Sequence, residues 1–270
     1  MIDCGKVDII GVKVDVVDYE AAVDRIIRAA KSKKPYGVSA LAVHGVMTGA
    51  LDPDQRIRLN ALELVTPDGQ PVRWAMRFLH HYKLPDRVYG PNLTLKVCEA
   101  AAREGLSIYL YGSRQIVLDA WIRNLHKMYP NLKIAGTEPS KFKRLDQEEN
   151  DEMLERIKAS EADILFVGLG CPRQEVFVYE NKERLSMPAL AVGAAFDFHA
   201  GVLPQAPGWM QDTGLEWLFR LMQEPRRLWR RYLYLNPLYL WLVFKQKVRP
   251  TYIENEDHEH VARLSPLRFG

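Results

Sequence analysis

At 270 residues, 47 % apolar and 26 % charged, the chain can bury one large core or two small ones, and its composition excludes disorder over its length. Its three cysteines, Cys4, Cys98 and Cys171, form no C-x-x-C pair and are odd in number, which argues against a zinc ribbon and a disulfide framework and fits a reducing compartment. The formal net charge of +3 is unevenly spread: between Arg220 and Arg249 eight basic residues stand against the single acid Glu224.

The N-terminus, with Asp3, Lys6 and Asp8, lacks the apolar stretch of a signal peptide, and no segment reaches the roughly 18 to 20 apolar residues of a membrane span. Residues 8 to 17 alternate loosely, as a strand or hairpin does, and Tyr19 to Ala30 has helical spacing at Ala22, Val23, Ile26 and Ile27. Val38 to Val43 reads as a strand, His44 to Asn60 as helical pieces broken at Asp52-Pro53, and Leu62 to Val65 as a strand ending in the turn Thr66-Pro67-Asp68-Gly69. A helix over Pro71 to His80 follows, then Arg87-Val88-Tyr89-Gly90-Pro91-Asn92, where Asn92 is placed to cap a helix running to Arg103.

A clear βα alternation comes next: strand Ser107 to Tyr111, Gly112-Ser113, helix Gln115 to Met128, strand Leu132 to Ala135, helix Gln147 to Ser160 and strand Asp163 to Val167. Strands separated by helices imply a mostly parallel, Rossmann-like sheet with flanking helices and right-handed crossovers. The run Ile164 to Val167 breaks into Gly168-Leu169-Gly170, and Pro172 suits a first helical position, so the turn has the outline of a phosphate cradle. The dinucleotide fingerprint G-x-G-x-x-G fails, because Arg173 stands where its third glycine belongs. A last strand, Ala189 to Val192, runs into Gly193-Ala194-Ala195-Phe196-Asp197. In open α/β sheets ligands bind outside the carboxyl ends of the strands, so the loops at Asp68, Gly112-Ser113, Gly168 to Glu175 and Asp197 should converge.

After Gly201 the composition shifts. Helices over Gly214 to Met222, Arg226 to Tyr234 and Leu238 to Gln246 form a basic, aromatic appendage, and beyond Pro250 the acidic run Glu254 to Glu259 reads as a mobile tail. This divides the chain into an α/β core (1–203), an appendage (204–250) and a tail (251–270).

Several of these residues have two readings. Asp68, in an exposed Pro-Asp-Gly turn, satisfies local amides or acts as a general base. Asp197, between Phe196 and Phe198, is buried with a partner or aimed into a site. Arg87 forks onto a phosphate or lies on the surface. His44 and His199 are lone histidines of the kind that more often hold structure, and the D-x-D at Asp52 and Asp54 falls in a helix break, where accident is a better account than a metal site. The basic, aromatic appendage suits nucleic acid or an anionic membrane, and the apolar run Leu238 to Phe244 decides for the membrane and against nucleic acid. Arg230, Arg231, Trp241, Lys245 and Lys247 would make that contact, each basic group adding roughly 1 kcal/mol near an anionic leaflet.

Taken together, these motifs resemble the WecG/TagA/CpsF glycosyltransferases: Thr66-Pro67-Asp68-Gly69, Arg87-Val88-Tyr89-Gly90-Pro91, Val167-Gly168-Leu169-Gly170 with Pro172-Arg173-Gln174-Glu175, Gly193 to Asp197, and Gly214-Leu215-Glu216-Trp217 with Arg220, Glu224-Pro225-Arg226-Arg227 and Arg231-Tyr232. The resemblance implies an inverting, metal-independent enzyme without a cofactor. It would move a hexose or N-acetylhexosamine from a UDP-sugar, a substrate, to a polyprenyl-diphosphate-linked acceptor in cell-envelope polysaccharide synthesis, as a peripheral protein on the cytoplasmic face of the membrane. It also implies that Asp68 is the catalytic base and that Gln174 contacts sugar or nucleotide. Arg87, Gly112, Ser113, Gly168, Gly170, Arg173 and Asp197 would complete the substrate site, with Arg220 and Arg227 clamping the diphosphate. Where the family often has Thr-x-Asn, this chain has Ser39-Ala40-Leu41-Ala42, and Ser39 or His44 is the candidate for that contact. The alternatives are a nucleotide-sugar epimerase or oxidoreductase built on the Gly168 to Gly170 loop, and a non-enzymatic membrane-surface adaptor. Whether copies pair as a homo-oligomer is not written in the sequence.

Overall fold

The computed structural model describes residues 1–249 and 267–268, so the expected tail, apart from 267–268, and its acidic run lie outside the described residues. The chain opens with an antiparallel hairpin of β1 (Asp3–Ile9) and β2 (Val12–Val17), a two-stranded sheet of its own. Asp18 then caps α1 (Tyr19–Lys31) by accepting from Ala21 N at 2.9 Å. β3 (Tyr36–Leu41) ends two residues before the expected point, because Val43 already opens α2 (Val43–Leu51). Asp52 caps α3 (Pro53–Asn60) through the amides of Asp54 and Gln55, so the D-x-D is a helix start.

β4 (Leu64–Pro67) leads through Asp68 and Gly69 into α4 (Gln70–His80). α5 (Gly90–Glu104) begins earlier than expected: Pro91 fits the first turn, and Asn92 lies inside the helix rather than capping it. Then follow β5 (Ser107–Gly112), α6 (Gln115–Met128), β6 (Lys133–Glu138), α7 (Gln147–Ala159), β7 (Ile164–Gly168), α8 (Arg173–Asn181), β8 (Pro188–Ala191) and the short α9 (Ala195–His199).

Six strands form one parallel sheet in the order β4-β3-β8-β7-β5-β6. It is buried on both faces, which is why its strands read as apolar runs rather than as alternation. Leu165 and Val167 point into a cluster with Tyr111, Phe177 and the hairpin's Val12, Val14 and Val16, while Ile164 and Phe166 point into a second with Leu93, Trp121 and Phe196. Because every strand runs the same way, the loops after β3, β4, β5, β7 and β8 open on one edge.

The C-terminal segment comprises α10 (Gly208–Asp212), α11 (Glu216–Gln223), α12 (Pro225–Arg230), a π-helical stretch (Arg231–Leu235) and α13 (Asn236–Val248). α13 is docked on one side: Tyr239 and Val243 are buried, the Tyr239 hydroxyl donates to Pro71 O at 3.1 Å, and Gln246 bonds Ile10 N at 2.8 Å and Asp8 Oδ1 at 2.6 Å. Its other side exposes Leu240, Trp241, Phe244 and Val248. Among the described residues no helix is long and apolar enough to cross a membrane.

Candidate active site

A cavity of about 800 Å³ lies where the strand ends meet the C-terminal helices. Its walls include Asp68 after β4, Ser113 after β5, Gly168 and Gly170 after β7, Arg173, Gln174 and Glu175 on α8, and Asp197 on α9. The C-terminal segment closes it with Glu216, Trp217, Arg220, Leu228, Arg230 and Tyr232. The expected convergence of strand-end loops is therefore present.

Asp68 sits at the centre. Its backbone continues the sheet, Asp68 N donating to Leu41 O at 3.1 Å, while Oδ1 accepts the first amide of α5, Gly90 N, at 3.0 Å. It therefore satisfies a helix N-terminus and faces the cavity at once. Burial pushes its pKa up to about 6; the Glu216 carboxylate adds to the rise, and Arg87, the Gly90 amide and Arg220 oppose it.

Arg87 is 6 % exposed and committed to protein. Its Nη2 donates to Glu216 Oε2 at 2.7 Å and to Gln211 Oε1 at 3.1 Å, and its guanidinium stacks 4.1 Å from the centre of the Tyr89 ring. The Tyr89 hydroxyl donates to the other oxygen of Glu216 at 3.2 Å. α11 is thus latched to the core beside Asp68 through a residue from a distant motif. Tyr89 and Glu216 are not among the site residues expected from the sequence, although both stand in the motifs that carry the family resemblance.

Around β7 the structure refines the phosphate-cradle expectation. Pro172 precedes α8 instead of occupying its first position, Gly170 N donates to Gln174 Oε1 at 3.1 Å, and Gln174 N donates to Gly170 O at 3.1 Å. Two amides expected to face an anion are taken internally. Gly112, with φ +116°, does not line the cavity: a Cβ there would meet the Gly168 carbonyl carbon at 2.6 Å, so its absence lets two strand ends touch. Gly193, with φ +51°, would place a Cβ 3.0 Å from Gln174 Oε1, and is the space into which that side chain fits.

Ser39 is fully buried and donates to Glu175 Oε1 at 3.1 Å, beneath the cavity rather than in it, whereas His44 lines the wall. His199 is structural: Nε2 is 2.9 Å from Pro91 O, the ring lies beside Trp121, and burial lowers its pKa. Arg220 lines the cavity with its guanidinium 5.7 Å from the Phe198 ring centre. Arg230, expected at the membrane, lines the cavity as well. The side chains of Arg227 and Arg231 lie outside the described residues. Lys245, Lys247 and Trp241 are exposed on α13, Lys245 5.4 Å from the Trp241 ring centre and Lys247 5.6 Å from that of Phe78 on α4. Among the described residues no group of three or more His, Cys, Asp or Glu is disposed to hold a metal ion.

A parallel α/β sheet whose strand-end cavity holds a carboxylate of raised pKa among several arginines is the kind of site that an enzyme with an anionic substrate presents. The chain matches the Glycosyl transferase WecG/TagA/CpsF family over residues 7–252 and belongs to it. It is a hexosyl-transferring glycosyltransferase. It is also similar to the N-acetylglucosaminyldiphosphoundecaprenol N-acetyl-beta-D-mannosaminyltransferase of Bacillus subtilis (strain 168), with 27 % identity over 208 residues, 76 % of this chain and 78 % of that protein.

Proposed function

We propose that this protein transfers a hexose or N-acetylhexosamine from a UDP-sugar to a sugar carried on a polyprenyl diphosphate, with inversion and without a metal, at the inner face of the cell membrane. The observation that carries this reading is the setting of Asp68: a carboxylate with its pKa near 6, held on Oδ1 by the Gly90 amide and bordered by Arg87 and Arg220. The similar Bacillus subtilis protein is named for transfer to a lipid-diphosphate-linked sugar, which supports the same acceptor class here.

In the proposed step the acceptor hydroxyl gives its proton to Asp68 Oδ2 as its oxygen attacks the anomeric carbon from the face opposite the nucleotide. The bond from that carbon to the diphosphate oxygen breaks, and UDP leaves with the electron pair. Charge growing on the diphosphate needs fixed cations; Arg173, Arg220 and Arg230 are on the walls to supply them. The apolar outer side of α13 and the exposed Trp74 and Phe78 of α4 would rest on the membrane, with Lys245 and Lys247 at its anionic surface.

The test is incubation with labelled UDP-sugars, with and without a lipid-diphosphate sugar. UDP release and a glycolipid product only with acceptor are expected. Interconversion of the free nucleotide-sugar would establish an epimerase instead, and absence of any turnover across glucose, N-acetylglucosamine and N-acetylmannosamine donors would favour the adaptor.

A further inference from the structure

In the cavity wall, one carboxyl group has an oxygen with no hydrogen bond of ordinary distance and angle. Glu175 is 1 % exposed and lines the wall from the first turn of α8. Its Oε1 accepts from Ser39 Oγ at 3.1 Å and from Gln174 Nε2 at 2.9 Å, whereas Oε2 has no hydrogen-bond partner. A buried polar atom without a partner is costly and calls for an explanation, and at the wall of a binding cavity a ligand that completes it is the direct one. The neighbouring Gln174 is pinned at both ends, to Gly170 N and to Glu175, so the pair forms a rigid floor rather than a mobile surface.

We propose that Glu175 is a donor-recognition residue, its Oε2 making a hydrogen bond from the cavity floor to one hydroxyl group of the transferred sugar. This rests on the UDP-sugar reading above. Burial raises the pKa of Glu175, and no cation opposes it: the groups that do are the Gln174 carboxamide, its own backbone amide, the Ser39 hydroxyl and the Cys171 thiol. Ser39 and Gln174 occupy both lone pairs of Oε1, so Oε2 is the oxygen left for a ligand. A sugar hydroxyl both donates and accepts, so it pairs with a carboxyl oxygen there and equally with the N–H that a glutamine would present in the same place.

Titration of UDP and of UDP-sugars into the full-length protein, its E175Q and E175A variants, and a series of singly deoxygenated donors tests this. E175A should bind the UDP-sugar roughly fivefold to thirtyfold more weakly with UDP affinity unchanged, while E175Q stays within about threefold of the parent. The donor lacking the recognised hydroxyl should bind the parent and E175A equally. Unchanged UDP-sugar affinity in E175A, equal weakening of UDP and UDP-sugar, or as great a loss in E175Q would overturn the assignment. Should E175A fail to fold, the parent and E175Q decide: if no single deoxygenation weakens binding to the parent, the proposal falls. A parent protein that binds neither UDP nor any UDP-sugar refutes the donor reading itself and this inference with it, whereas tight parent binding with an indifferent E175A refutes this inference alone.

Discussion

As the proposed base, Asp68 answers two demands that oppose each other. To take a proton it must be ionised, yet its position among cavity walls favours the neutral acid, and the compromise is a pKa of about 6. Activity, measured as kcat/KM, should therefore fall about tenfold per pH unit below pH ~6 as the base is protonated. Asp68→Asn should lower turnover by roughly a hundredfold or more while UDP binding by calorimetry stays near normal, and near-parental turnover across pH would remove Asp68 from the base role. The same shift has a stability sign. Because the folded-state pKa lies above the ordinary value of 3.8, the folded protein holds this proton more tightly, and the contribution of Asp68 to stability decreases as pH rises from about 4 to 6. Asp68→Asn should accordingly raise stability at pH 7 to 8, by on the order of 2 kcal/mol less what water in the cavity screens, and leave it unchanged near pH 4. Thermal melts at the two pH values check this, and a destabilised variant at pH 8 would contradict it.

At the scale of elements, α11 does more than cover the cavity, since Glu216 joins Arg87 and Tyr89 in one buried cluster. Glu216 is also one of the charges that raise Asp68, so Glu216→Gln should shift the acidic limb of the pH profile downward, on the order of half a unit. A limb that stays in place, or moves upward, would mean that α11 acts on the site only as a wall. None of this latch was legible in the sequence, because its partners lie in motifs 127 and 129 residues apart and only packing brings them together. What was legible follows from local physics. Apolar strands ending in Gly or Pro-Asp-Gly identified the sheet and its binding edge, and helix boundaries mostly fell within a residue or two. The errors came where a neighbour overrode local preference. Val43 continues the apolar run of β3, yet it opens α2. Asn92 is a good cap by composition, but the helix already starts at Gly90, with Pro91 in its first turn and Asp68 accepting the Gly90 amide. Gly112 resembled a ligand-binding glycine and instead makes room for Gly168.

For the whole molecule, the C-terminal basic region divides by position. Arg220 and Arg230 line the cavity, whereas Lys245 and Lys247 stand with Trp241 on the outer side of α13, next to the exposed Trp74 and Phe78 of α4. Sequence patterning singled out the α13 residues and not Trp74 and Phe78, which sit on a helix whose opposite side is buried. Under the proposed function, the apolar strip with its lysines would meet the membrane and the arginines would face the substrate, two roles that a basic segment could have shared. Arg220→Ala should cut turnover on a water-soluble acceptor about a hundredfold to a thousandfold, the range for removing one group that stabilises developing charge, with liposome binding unchanged. Lys245→Ala should do the reverse, sparing soluble turnover and weakening co-sedimentation with anionic vesicles roughly fivefold, as expected for one basic residue near such a surface. Both variants must be assayed in both ways. Equal loss of soluble turnover in the two, or equal loss of vesicle binding, would show that cavity and membrane draw on a single pool of charge.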